Sequence, residues 1–131
     1  MTMAMKQFQK SKEHTKRVLV VEDEWIVALD LTMFLTDAGY KVIGPASRVS
    51  DALALLEKED IDAAILDINL SGETSKPIAL HLKNKGTPFV FLTGYSRGHL
   101  DPELSSEIVV NKPLSQTQLH QALEGLFAMQ G

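Results

Sequence analysis

The chain has 131 residues and a formal net charge of −4, contains no cysteine, and is 44% hydrophobic. This length suits one globular domain of about 100–150 residues and leaves little room for a second folded module, so we expect no separate output domain. Because cysteine is absent, a disulfide framework, a thiolate metal site and a cysteine nucleophile are excluded.

The charge is unevenly distributed along the chain. Residues 1–16 carry four lysines and one glutamate, and the remainder is acidic. We interpret residues 1–16 as a flexible basic tail and residues 17–131 as the folded domain. An acidic surface repels phosphate backbones, so nucleic-acid binding is disfavoured. The polar, basic start is unlike a secretory signal, and no apolar run approaches the roughly 20 residues of a membrane-spanning helix. We therefore expect a cytoplasmic protein without membrane contact.

After the tail, apolar runs alternate with helical patterns, which is typical of βα units. Their continuous Val, Ile, Leu and Phe content predicts strands that are covered by helices on both faces. The predicted strands span residues 17–21, 41–44, 63–66, 89–92 and 108–110. The βαβαβαβαβ order predicts an α/β fold, a flavodoxin-like doubly wound five-stranded parallel sheet with strand order 2-1-3-4-5 and helices on both faces.

The helices show recognisable ends. The last one presents an apolar face at helical spacing from Leu119 to Phe127, and Ser115 with Gln118 forms a capping box before it. The earlier helices are predicted at residues 25–38, followed by Gly39; at 51–59, with Ser50 as N-cap; and at 78–85, with Pro77 at N1 and Gly86 after the end.

Polar residues directly follow four of the five predicted strands. They are Glu22-Asp23, Asp67, Thr93 and Lys112-Pro113. Parallel strands place their carboxyl ends at one edge of the sheet, so we expect these side chains to converge there. Each has an ordinary explanation alone, as a helix start, a turn, a strand end or a loop cation. Together they supply the groups of a phosphoryl-transfer site.

Asp67 is the natural nucleophile, because a carboxylate can attack phosphorus and form an acyl phosphate. A phosphoryl group beside carboxylates requires a hard divalent cation such as Mg²⁺ or Mn²⁺. We expect Asp23 and Asp67 to ligate this ion, Glu22 to hold a metal-bound water, and the backbone carbonyl near Asn69 to add a ligand.

Lys112 and Thr93 supply the remaining groups of the predicted site. We expect Lys112 to neutralise one phosphoryl oxygen and the Thr93 hydroxyl to donate a hydrogen bond to another.

The set of motifs resembles the response regulator receiver domain of two-component signalling, over about residues 17–129. The resemblance rests on the acidic Val-Leu-Val-Val-Glu22-Asp23-Glu24, the phosphoacceptor strand Ala-Ile-Leu-Asp67-Ile-Asn69-Leu, Phe-Leu-Thr93-Gly94 and Val-Asn-Lys112-Pro113-Leu. It implies that a sensor histidine kinase passes a phosphoryl group to Asp67 with Mg²⁺, and that the affinity for partners then changes. It also implies that the protein catalyses its own phosphorylation and is not a turnover enzyme. We expect slow autodephosphorylation, because neither Asn69 nor Tyr95, the residues near the phosphoacceptor, is an efficient general base.

A shorter motif resembles one receiver subfamily. Phe91-Leu92-Thr93-Gly94-Tyr95 is similar to the signature of the FAT GUY receivers, with Leu92 in place of Ala. Many receivers have an aromatic switch residue three positions before the lysine, where this chain has Val109. The resemblance implies a single-domain regulator, or a phosphorelay or phosphate-sink component, that is monomeric or weakly dimeric. The implied partners are a histidine kinase of the HWE or a related class and a downstream protein or histidine phosphotransferase.

Two hypotheses concern the response to phosphorylation. We expect Thr93 to move inward and the Gly94-Tyr95 loop to follow, so that Tyr95 reports the state in place of the missing aromatic. Residues 96–107 contain Gly98 and Pro102 and only two leucines, which predicts a short, frayed or mobile helix whose ordering could be the output.

Other classes of protein explain the residues less well. A phosphatase of the haloacid dehalogenase type also uses an aspartate nucleophile, Thr, Lys and Mg²⁺, but it has a second Asp where this chain has Asn69, and its acidic pair comes last in the chain. A flavin or nucleotide binder would need a Gly-rich loop after the first strand, where Glu22-Asp23-Glu24 stands. A phosphorylation-independent pseudo-receiver is disfavoured by the complete set of acids, Thr and Lys.

Overall fold

The computed structural model describes residues 15–94, 108–113 and 115–130. Within them the chain forms strands and helices in alternating order. The strands are β1 (Arg17–Val21), β2 (Lys41–Ala46), β3 (Ala63–Asp67), β4 (Asn69–Leu70), β5 (Glu73–Thr74), β6 (Phe89–Thr93) and β7 (Ile108–Asn111). The helices are α1 (Trp25–Asp37), α2 (Val49–Lys58), α3 (Lys76–Lys85) and α4 (Gln116–Gln130).

Five strands form one parallel sheet in the order β2-β1-β3-β6-β7. Counted along the chain without the short strands β4 and β5, this is the predicted 2-1-3-4-5 order, so the flavodoxin-like doubly wound fold is confirmed. β1 has the predicted bounds, and the other four strands end one or two residues later than predicted. The parallel pairing places all five carboxyl ends at one edge of the sheet.

Successive strand residues point into two separate hydrophobic cores. Leu19 and Val21 of β1 pack with α2 and α3, whereas Val18 and Val20 pack with α1 and α4. Because every buried Val or Leu contributes about 1.5–3 kcal/mol, both faces of each central strand stabilise the fold. This two-sided burial explains why the strand sequences are continuously apolar.

Two helices begin earlier than predicted. α2 begins at Val49, so Ser50 lies in the first turn and the prediction that it is the N-cap was wrong. The cause is tertiary, because the Glu73 carboxylate accepts a hydrogen bond from Val49 N at 3.2 Å and satisfies an N–H group at the helix start. α3 begins at Lys76, which makes Pro77 its second residue instead of its first.

The glycines that were predicted to follow two of the helices lie at those helix ends, and α2 ends one residue before the predicted position. Gly86 follows α3 in the left-handed conformation with φ 73°, and its N–H donates to the last turn. α1 ends one residue before the predicted position, and Gly39 follows with φ 95°. At the start of α4, Gln118 N donates to Ser115 Oγ at 3.3 Å, as in a capping box.

A small hairpin that the sequence patterns did not predict follows β3. β4 and β5 pair antiparallel around a turn in which Ser71 has φ 42° and Gly72 has φ 93°. Two-residue strands are too short to show a periodicity, so only the Ser-Gly turn signal was available.

Some predictions lie outside the described residues. These are the tail up to residue 14, Tyr95 and the segment 96–107. None of the helices within the described ranges has the length and apolar character that a membrane span requires.

Candidate functional site

The polar groups that were predicted from the strand ends lie at the carboxyl edge of the sheet. Asp67 ends β3 and Thr93 ends β6, while Glu22 follows β1 and Lys112 follows β7. The side chains of Glu22, Asp67 and Thr93 are buried. The backbone N of Lys112 donates to Thr93 O at 2.8 Å, which fixes the point from which the lysine side chain enters the site.

Lys112 is in contact with three carboxylates. Its Nζ lies 2.8 Å from Glu24 Oε1, 2.9 Å from Glu22 Oε1 and 3.0 Å from Asp67 Oδ2. The Glu22 and Asp67 side chains are almost inaccessible to solvent, and the lysine is largely buried. Buried carboxylates are costly unless a cation lies beside them, so Lys112 offsets part of their charge.

Glu24 is a member of this cluster that was not among the metal ligands predicted from the sequence. Ligand atoms of Glu22, Glu24 and Asp67 all lie within 4.8 Å of one another. Glu24 has extended backbone angles, φ −83° and ψ 109°, and in an extended chain residues two apart share a side. The Glu-Asp-Glu spacing was therefore the available signal for this residue.

Asp23 lies in a different environment from the three acids that surround Lys112. Its Oδ2 accepts a hydrogen bond from the Ser71 hydroxyl in the β4–β5 turn. This bond holds the pKa of Asp23 below its ordinary value, although burial acts in the opposite direction. Asp23 therefore stays ionised at the rim of the site, and Ser71 is a further site residue that the sequence alone did not indicate.

The electrostatics of Glu22 and Lys112 are strongly perturbed. Burial, together with the nearby Asp67, raises the pKa of Glu22 from 4.5 to about 7, although Lys112 acts in the opposite direction. Burial would lower the pKa of Lys112, but its contacts with the carboxylates of Glu22, Glu24 and Asp67 outweigh it and raise that pKa. The lysine is thus charged at every physiological pH, while Glu22 exchanges its proton near neutrality.

The pKa of Glu22 predicts how stability depends on pH without metal. Because the folded pKa is about 7 and the ordinary value is 4.5, the folded state binds the extra proton, so the free energy of unfolding falls as pH rises through this window. In urea titrations with EDTA, we expect the free energy of unfolding of the wild type to fall by about 1–3 kcal/mol between pH 5 and pH 8. We expect Glu22→Gln to lack this fall. The exposed Glu57→Gln is the control, and equal slopes in the two variants would contradict the expectation.

One backbone contact and one side-chain contact position the carboxylate of Asp67, the phosphoacceptor candidate. Asn69 N donates to Asp67 Oδ1 at 3.3 Å, so both carboxylate oxygens have a partner, one the amide and the other Lys112. Thr93 lies one residue beyond Leu92, the register neighbour of Asp67 on β6. The carboxylate and the hydroxyl residue therefore come from adjacent strands.

Gly94 and Val109, the two described residues of the predicted switch, lie in different surroundings. Gly94 lines the cleft, and a Cβ added to it would meet nothing within 4 Å, so sterics do not demand glycine there. Val109 is the register neighbour of Phe91 and packs against the core under α2 and α3. An aliphatic side chain at this position has no ring that could rotate between two states.

An open cleft of about 500 Å³ exposes these groups to solvent. Its lining comprises Asp23, Glu24, Asp67, Asn69, Ser71, Gly94 and Lys112. All the candidate ligands are oxygen donors, which suits Mg²⁺ or Mn²⁺ and not a soft metal. Glu22 Oε1 is buried and contacts Lys112 without forming a hydrogen bond. This oxygen can therefore still ligate a metal ion, so the acidic set fits a divalent cation.

Comparisons with known proteins agree with this geometry. A family model described as the response regulator receiver domain matches residues 18–124. SdrG from Sphingomonas melonis Fr1, solved in solution, is 38% identical with a TM-score of 0.78, and the match covers 86% of this chain and 97% of that one. TrrA from Thermotoga maritima, crystallised in complex with Mg²⁺-BeF, is 27% identical with a TM-score of 0.75, covering 86% and 99%.

The curated relatives are longer than this chain. The transcriptional regulatory protein PdtaR of Mycobacterium tuberculosis is 29% identical over 113 residues, which are 83% of this chain and 55% of PdtaR. The chain spans about half the length of the curated relatives it matches. With a family model that covers most of its length, the chain belongs to the response regulator receiver domains.

Proposed function

We propose that this receiver is a phosphorylation-dependent signalling switch that accepts a phosphoryl group on Asp67 from a sensor histidine kinase. The observation that carries the proposal is the environment of Asp67. Its carboxylate is buried at the end of β3, opens on the cleft, and has Lys112 Nζ 3.0 Å from Oδ2. A nucleophile, a fixed cation and an acidic metal site are thus present together.

The phosphoryl transfer exchanges one bond to phosphorus for another. An oxygen of Asp67 attacks phosphorus, the P–N bond of the donor phosphohistidine breaks, and its electron pair returns to the imidazole nitrogen. Lys112 then contacts the transferred group in place of a carboxylate. The proposed metal-binding groups are Glu22, Asp23, Asp67 and the Asn69 carbonyl. We add Glu24, because its ligand atom lies within 4.8 Å of those of Glu22 and Asp67. When bound to these acids, Mg²⁺ would neutralise negative charge on the phosphoryl oxygens.

The finer assignment is to a single-domain regulator, a phosphorelay component or a phosphate sink of the FAT GUY type. It rests on Phe91-Leu92-Thr93-Gly94-Tyr95 and on Val109, where an aromatic switch is absent. The same resemblance supports a kinase of the HWE or a related class as donor and a downstream protein or histidine phosphotransferase as partner. A cytoplasmic location, expected from the composition of the chain, is part of the same proposal.

Tyr95 is the proposed reporter of the phosphorylated state. Because Val109 cannot act as a rotating aromatic, we expect Tyr95→Ala to weaken phosphorylation-dependent partner binding without preventing phosphorylation. The binding of the phosphorylated and unphosphorylated forms to the partner, measured by titration, checks this. Tyr40→Phe, which keeps its ring against Phe127, is the control. Unchanged discrimination by Tyr95→Ala would remove Tyr95 from the mechanism.

Intact mass spectrometry tests the proposed function. The protein is incubated with acetyl phosphate and Mg²⁺, and we expect a gain of one phosphoryl group, about 80 Da, that EDTA prevents. Repeated turnover of an aryl phosphate would instead favour a phosphatase. Absence of an adduct, with beryllofluoride also failing to bind, would overturn the proposal in favour of a pseudo-receiver.

A further inference from the structure

The outer face of α1 carries large hydrophobic side chains that nothing in the described chain covers. We call them the α1 stripe, and their exposed fractions are 73% for Trp25, 63% for Ile26, 51% for Leu29 and 56% for Met33. The opposite face of the helix is already buried in the core through Ala28, Leu31 and Leu35. A contiguous apolar surface of this kind on a folded domain marks an interaction site.

The surroundings of the α1 stripe are acidic. The stretch from Glu22 to Tyr40 contains five acidic residues and neither lysine nor arginine. Asp30 and Asp37 follow Ile26 and Met33 by four residues, so on the helix they are neighbours of the stripe. The surface therefore suits an occupant that combines apolar side chains with positive charge.

Residues 1–14 of the same chain have this composition. They contain three lysines against one acidic residue, together with three methionines and one phenylalanine. The described chain starts close to the C-terminal end of α1, because Lys16 O accepts a hydrogen bond from Lys41 N at 2.9 Å, four residues after the helix ends. α1 is about 20 Å long at 1.5 Å per residue. Fourteen extended residues reach about 45 Å and can follow its whole length.

We propose that residues 1–14 dock on the α1 stripe, with Met and Phe side chains covering the apolar surface and the lysines facing Asp30 and Asp37. The occupant is tethered, so its local concentration favours it over a separate molecule. The stripe begins at Trp25, directly after Glu24 of the acidic cluster, so the docked segment shields a surface beside the phosphoacceptor cleft. This role does not depend on phosphorylation.

Trp25 provides a built-in reporter, because it is the single tryptophan of the chain and belongs to the stripe. The test compares tryptophan emission and acrylamide quenching in the full chain, a variant lacking residues 2–14, and the full-length Lys6→Glu/Lys10→Glu variant. The charge-reversal variant keeps the chain length and guards against an effect of truncation on folding. Lys58→Glu/Lys85→Glu, on α2 and α3, changes net charge equally and serves as the control.

We expect the truncated and Lys6→Glu/Lys10→Glu proteins to show red-shifted emission and a larger quenching constant than the full chain and the control. If the paired charges face each other, combining Asp30→Lys/Asp37→Lys with Lys6→Glu/Lys10→Glu exchanges their signs and restores the blue-shifted emission. High salt weakens the wild-type contact and shifts the wild-type emission to the red. Identical spectra in all variants would overturn the proposal. A blue shift that grows with protein concentration and survives truncation would overturn it in favour of a second copy on the stripe.

Discussion

Asp67→Asn is expected to abolish phosphoryl uptake completely while the domain stays folded. Asparagine keeps the shape of the side chain, but its amide is a poor nucleophile and cannot form an acyl phosphate. Its carbonyl oxygen can still accept a hydrogen bond from Lys112, so the loss will not reflect a disrupted site. The measurement is intact mass after incubation with acetyl phosphate and Mg²⁺, where the wild type gains about 80 Da and the variant gains nothing.

The matched control is Asp62→Asn, because Asp62 precedes the same strand at its opposite end. Its Oδ2 accepts a hydrogen bond from Arg17 N at 2.8 Å, far from the carboxyl edge of the sheet. We expect this variant to gain the full phosphoryl mass. A phosphoryl adduct on Asp67→Asn at wild-type yield would assign the acceptor to another side chain, and peptide mapping would locate it.

Lys112→Met is expected to lower the free energy of unfolding by about 3–5 kcal/mol at pH 8 in EDTA. The variant keeps most of the side-chain volume but leaves Glu22, Glu24 and Asp67 without the ammonium group that now lies within 3.0 Å of each. Uncompensated buried charge is among the largest single costs that a substitution can impose. Urea unfolding, followed by circular dichroism, measures the difference.

Two comparisons separate this electrostatic cost from lost packing. Lys85→Met, at the exposed end of α3, should be nearly neutral, since surface substitutions usually change stability by about 0.5 kcal/mol or less. The deficit of Lys112→Met should shrink at pH 5, because protonation removes part of the carboxylate charge, and it should also shrink with added Mg²⁺. A deficit that stays constant across pH and metal concentration would show that packing, and not charge, is the cause.

Several parts of the fold and site were predictable because they depend on local patterns. Continuous apolar runs predicted the five sheet strands, and glycines predicted the ends of α1 and α3. Parallel topology then predicted that Asp67, Thr93 and Lys112 would lie at one edge, since in such a sheet every strand end faces the same way. Geometry of this kind follows from strand order alone and needs no knowledge of side-chain contacts.

Other features required contacts between distant residues. Glu73 accepts a hydrogen bond from the first residue of α2 and moved the helix start away from the predicted Ser50 cap. Ser71 bonds to Asp23 across 48 positions of sequence, while Glu24 reaches Lys112 across 88. No periodic pattern encodes such pairings, because they depend on which loops the sheet brings together.

The sequence by itself therefore determined the parallel sheet, its strand order and the identity of the reactive groups, because continuous apolar runs, their order along the chain and the residues that follow them specify these features. Only the tertiary structure decided which acids face Lys112, why the pKa of Glu22 rises to about 7, and which face of α1 stays exposed. Burial and charge pairing decide these properties, and both arise only when distant segments pack against each other.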